Sequence, residues 1–107
     1  MDDNNETQKD DPDVRHYMAL HHAWLTIYYH YRLACWDSPM DEARAKTNST
    51  ALVAVEKAMK DHQARFPEKI TGEMARHFEG IRLALKTGYQ VERGRRERIF
   101  GRIIQIS

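Results

Sequence analysis

The chain has 107 residues, enough for one modest core and not for two. Apolar residues make up 41% and charged residues 31%, a globular balance that excludes a wholly disordered chain, and no run approaches the roughly 18 apolar residues of a membrane-spanning helix. The formal net charge is only +1, which excludes a strongly basic or strongly acidic protein taken as a whole.

That small net charge hides an asymmetry. Residues 1–50 carry five basic and nine acidic side chains, whereas residues 51–107 carry twelve basic and seven acidic ones. The simpler reading is that the two halves attract each other, within or between chains. The alternative is a basic surface for nucleic acid or an acidic partner. The single cysteine, Cys35, rules out an internal disulfide and a zinc site made of thiolates alone. A lone thiol suits a reducing compartment, and the N-terminus lacks the basic and apolar stretches of a secretory signal. The expectation is a cytoplasmic protein.

Taken in chain order, residues 1–10 are acidic and polar and are expected to be disordered. Asp11-Pro12-Asp13 is a helix start, with Asp as cap and Pro at the first helical position, and predicts a first helix over 12–36. Ser38-Pro39 repeats the punctuation, with Asp41 and Glu42 in the first turn, and predicts a second helix over 39–65. Thr47, Asn48, Ser49 and Thr50 are its weak point, where a kink or a break is expected. Phe66-Pro67-Glu68 ends it and opens a third helix over 68–91. So short a link predicts an antiparallel hairpin of helices two and three. The tail, 92–107, is a fourth element; Ile99, Phe100, Ile103 and Ile104 recur at helical spacing, and a short helix is favoured over a β-strand. The expected fold is all-α: a three-helix bundle plus this C-terminal element, in one domain over 11–107.

Leu52, Val55, Met59, His62 and Phe66 form an apolar seam on helix two, and Ile70, Met74, His77, Phe78, Ile81 and Leu85 form one on helix three. Helix one differs, because its apolar residues cover more than half its circumference and six of the ten aromatic residues lie on it. Such a helix is sandwiched between neighbours or pressed against a second chain. Trp and Tyr are enriched in binding hot spots. Trp24, Tyr28, Tyr31 and Trp36 are therefore candidate partner-binding residues. The isoleucine-rich C-terminus would also be sticky if exposed, and a homodimer would cover both surfaces.

Motifs for chemistry are weak. Six histidines suggest a metal site joining His62, His77 and His21, with Glu73 nearby. Yet no His-Glu-x-x-His motif or Cys/His cluster occurs, and core histidines bonded to a neighbour are the commoner case. No metal or cofactor is expected. Histidines on buried seams also predict that acidification loosens the fold. Cys35 has no aligned base, no carboxylate pair stands out, and Gly72, Gly80 and Gly88 make no phosphate loop. They are read as points of close helix approach or as simply tolerated. No catalytic residue is assigned.

The remaining feature is basic. Arg93, Arg95, Arg96, Arg98 and Arg102 are five arginines in ten residues, and Arg95, Arg96 and Arg98 join the candidate partner-binding set. Nucleic acid is the second choice, because Glu92 and Glu97 interrupt the run and the aromatic residues lie elsewhere. The profile is that of a non-enzymatic interaction protein. Small regulators and inhibitors encoded by phages and mobile elements, anti-CRISPR proteins among them, often share it. A nucleic-acid accessory protein and a small histidine-lined metalloprotein are the alternatives.

Overall fold

A computed structural model describes residues 11–106 except Ser38, with side chains described as far as Arg95. The expectation for residues 1–10 lies outside the described residues. Among those described, the chain is all-helical, with three helices and no strand: α1 (Pro12–Trp36), α2 (Glu42–Arg65) and α3 (Gly72–Ile106).

The α1 helix begins and ends where its punctuation requires. Asp11 keeps an extended backbone, and its carboxylate accepts from the N–H groups of Asp13 (2.8 Å) and Val14 (3.4 Å). These are amides that no preceding turn can satisfy. At the other end Asp37 leaves the helix, and its N–H donates to the Leu33 carbonyl.

The α2 helix starts three residues later than expected. Its cap is Asp41 rather than Ser38: the Asp41 carboxylate accepts from the Arg44 N–H at 3.1 Å. The Asp41 N–H in turn donates to the Ala34 carbonyl at 3.1 Å, which folds the corner back onto the end of α1. A residue fixed on both sides makes the better cap, and Pro39 is left in the corner. The helix runs without a break through 47–50. The Thr47 hydroxyl and Asn48 amide donate to the carbonyls of Ala43 and Arg44, four residues back. Bonded back in this way, both side chains are accommodated within the helix.

The α3 helix also starts late. Pro67 sits in a turn, closed by the Lys69 and Ile70 N–H groups donating to the Phe66 carbonyl. The first helical turn and the second position of a β-turn demand nearly the same φ, so Pro suits both. Thr71 supplies the cap, its hydroxyl accepting from the Met74 N–H at 3.2 Å. The link between α2 and α3 is therefore longer than expected, and Ile70, placed on a helical seam by its spacing, is a fully buried loop residue.

The helices shown to pack together are α1 and α2. Their contacts run in opposite directions along the chain: His16 meets His62, Trp24 meets Glu56 and His30 meets Arg44. This is an antiparallel hairpin across the short 37–41 corner. The buried residues of α1 are Tyr17, His21, Trp24, Tyr28 and Ala34. Those of α2 are Ala45, Leu52 and Met59, seven residues apart, and His62 three residues further on, the spacings of a packed seam.

The chain divides into two compact units, the first ending at Arg76 and the second beginning at His77. Within the second, the less exposed positions of α3 include Phe78, Ile81, Arg82, Lys86 and Tyr89. Phe78 and Ile81 of the expected apolar seam are among them, whereas His77 and Leu85 are exposed. Long basic side chains hold such positions by laying their methylene stems along apolar surface. The expected fourth element falls within the span of α3, and the side chains of 96–107 that would show its packing lie outside the described residues. A Cβ built on Gly80 or Gly88 meets nothing within 4 Å, so among the described residues neither marks a close approach.

Two stability measurements follow. Trp24→Ala should cost about 3–5 kcal/mol in urea unfolding, because it empties a fully buried site. Gly80→Ala and Gly88→Ala should each stabilise by about 0.5–1 kcal/mol, as expected for a helical glycine in open space.

Candidate interaction surface

The buried and exposed sides of α1 follow from helical phase. At about 100° per residue, Tyr17, His21, Trp24 and Tyr28 share one side of the helix. All four are buried. His22, Thr26, Tyr29, Leu33 and Trp36 share the far side, and Tyr29, Leu33 and Trp36 are exposed at 58%, 38% and 39%. The outer side is thus polar in its first turns and apolar in its last. Met40, 41% exposed, continues the apolar surface into the corner.

This geometry sorts the candidate residues. Trp24 is fully buried, and its indole N–H donates to Glu56 Oε1 at 3.0 Å. The Tyr28 ring stacks on Trp24 at 4.9 Å, and Tyr31 stacks on Tyr28 at 6.1 Å. Burial pushes the Tyr28 phenol above its ordinary pKa, against an opposing effect of Arg32. Trp24 and Tyr28 are therefore core residues of the folded chain, Tyr31 is half-buried beside them, and Trp36 alone of the four lies on the outer side. Tyr29, Leu33 and Met40 are the surface residues that reading aromatic content alone misses. Their shared phase with His22 and Thr26, out of step with Trp24, was the available signal. In the basic run Arg95 is exposed, while the side chains of Arg96 and Arg98 lie outside the described residues.

The far end of the hairpin is held by polar contacts. The Lys69 ammonium, from the loop before α3, donates to Asp13 at 2.7 Å and lies 3.1 Å from Asp11. The His62 Nε2–H, near the end of α2, donates to the Asp13 carbonyl at 2.7 Å. The His62 ring also lies 4.7 Å from that of His16 and 4.9 Å from Phe66. One short stretch of α1 is thereby tied to both the end of α2 and the following loop.

The histidines do not converge on a metal. His21 and His62 are buried, whereas His77 and Glu73 are exposed. No group of three or more His, Cys, Asp or Glu placed to hold an ion occurs among the described residues. His30 accepts at Nδ1 from the Arg44 guanidinium at 3.0 Å, and Cys35 is half-buried. Among the described residues, no helix is long and apolar enough to cross a membrane. Comparison with protein-family models, with curated proteins and with solved structures finds no match to this chain.

The lysine clamp sets a pH window. The Lys69 hydrogen bond holds the Asp11 carboxyl below its ordinary pKa, helped by the N–H groups of Asp13 and Val14 against a smaller effect of burial. Asp13 and then Asp11 hold Lys69 above its own. Stability from a lowered carboxyl is present above the unfolded value, about 3.9, and is lost as pH falls through the folded one. Stability from a raised ammonium is present below about 10.4 and is lost as pH rises through the folded value. Lys69→Met should therefore lower the melting temperature between about pH 4 and pH 10, with the gap to wild type closing in stronger acid and stronger alkali. A gap of constant size down to about pH 2 would contradict the clamp.

Proposed function

We propose that this chain is a non-enzymatic interaction protein that binds another macromolecule and modulates or inhibits it, in the manner of small regulators of phages and mobile elements. The observation that carries this reading is the outer side of α1, where Tyr29, Leu33 and Trp36 lie exposed on consecutive turns and lead into Met40. Aromatic and large apolar side chains gathered on one exposed face form the kind of patch that marks a contact site. Exposed Arg95, with Arg96 and Arg98 following it in sequence, adds a cationic element suited to carboxylates on a protein partner. The reading includes closure of α3 against α2 as an antiparallel hairpin in a three-helix bundle. It also includes a homodimer in a cytoplasmic setting, which the single cysteine suits.

One observation favours a second reading, a nucleic-acid accessory protein. Residues 77–107 carry seven Lys or Arg side chains against three Glu, a net of +4. Phosphate contacts made by such a segment release counterions and weaken steeply with salt.

Light scattering on a sizing column, at low and high salt with the 260/280 nm ratio recorded, separates the two. The interaction reading expects a clean protein spectrum at both salts. It also expects that Leu33→Asp and Trp36→Ala, with unchanged circular dichroism, lose the partner that wild type captures. Nucleic acid carried at low salt and shed at high salt would reverse the ranking. A capture pattern untouched by both substitutions would move the site elsewhere.

A further inference from the structure

The apolar surface on α1 does not by itself say what covers it, but the charges around its C-terminal end narrow the choice. Leu33, Trp36 and Met40 stand exposed at the corner between α1 and α2. The seven residues from Trp36 to Glu42 include three carboxylates, Asp37, Asp41 and Glu42, and no Lys or Arg. All three acids are exposed. The basic side chains nearest in sequence are Arg32, half-buried on α1, and Arg44, whose guanidinium is engaged by His30; Lys46 follows one turn after Glu42. The corner is therefore an apolar patch with an acidic rim. An occupant that satisfies both parts must itself be apolar and basic, because desolvating a carboxylate beside an uncharged partner costs free energy that nothing returns.

The chain contains a segment of that chemistry. Residues 93–106 hold five arginines and one glutamate, together with Ile99, Phe100, Ile103, Ile104 and Ile106. We propose that the acid-rimmed corner formed by Leu33, Trp36, Met40, Asp37 and Glu42 receives the arginine- and isoleucine-rich segment 93–106 of a second copy of this chain. Every copy carries both the patch and the segment, so two copies exchange them reciprocally and each dimer makes the contact twice. The opposite charges of the two halves of the chain then act between copies. The inference rests on the reading of α1 as an interaction surface and names the partner for it.

The test is a charge swap on the full chain, read by sedimentation velocity over a range of concentrations. Wild type should self-associate reversibly, and more weakly in high salt. Asp37→Lys with Glu42→Lys should weaken association about tenfold or more, and so should Arg95→Glu with Arg98→Glu. Each altered protein sets like charges against each other in its own dimer. Mixed together, the two should associate with near wild-type affinity, because every contact in the mixed pair joins opposite charges. Trp36→Ala, which leaves every charge in place, should also weaken association about tenfold. Circular dichroism and melting confirm that each variant is folded. A chain that is monomeric at all concentrations overturns the proposal, as does association that ignores both charge reversals or variants that fail to pair when mixed. A monomer that still binds another macromolecule through Trp36 sinks this proposal and leaves the interaction reading standing. Finding no binding of any kind that depends on Trp36 sinks both.

Discussion

An indole can leave water at low cost only if its N–H keeps an acceptor. Trp24 meets that condition through the carboxylate of Glu56, which projects from the middle of α2. Satisfying that bond while burying the ring fixes how α1 and α2 slide and rotate against each other. Tyr28 then stacks on the ring from the next turn, and Tyr31 stacks on Tyr28. With the inner side of α1 committed in this way, the outer side is determined as well. Tyr29, Leu33 and Trp36 face away because Trp24 faces in.

The two ends of the hairpin are secured by different means. At the corner the backbone does the work: the Asp41 N–H reaches the Ala34 carbonyl while its carboxylate starts α2. At the open end the link is ionic and polar, through Lys69, Asp11, Asp13 and His62. Exposed ion pairs of this kind contribute little singly. Here one ammonium bridges two carboxylates, one of which also caps α1, so the helix start and the loop before α3 are coupled. The open end consequently responds to pH and salt.

This division bears on function. The surface assigned to binding lies at the corner end of the hairpin, away from the Lys69 clamp that joins its open end. Two of the histidines serve the hairpin's own contacts: His62 bonds a backbone carbonyl, and His30 bonds Arg44. Gathering them on one ion would require giving up those bonds.

Much of the architecture was legible in the chain itself. Asp11-Pro12 and Asp37 bound α1 because capping and proline geometry are local, and the seam of Leu52, Met59 and His62 on α2 is local periodicity. Where local signals were degenerate, the sequence misled. Ser38-Pro39 and Pro67-Glu68 look like helix starts, yet both prolines lie in links, since a turn and a first helical position ask the same φ of proline. Thr47 and Asn48 looked like breakers because their preference for capping is intrinsic, whereas the carbonyl each would bond depends on the helix already being formed. The aromatic content of α1 identified it as both core and surface, but not which ring was which. Apolar residues on a helix all satisfy the same local pattern. Only a specific acceptor across the interface, Glu56 for the Trp24 indole, selects the side that is buried and so leaves Leu33 and Trp36 to be seen from outside.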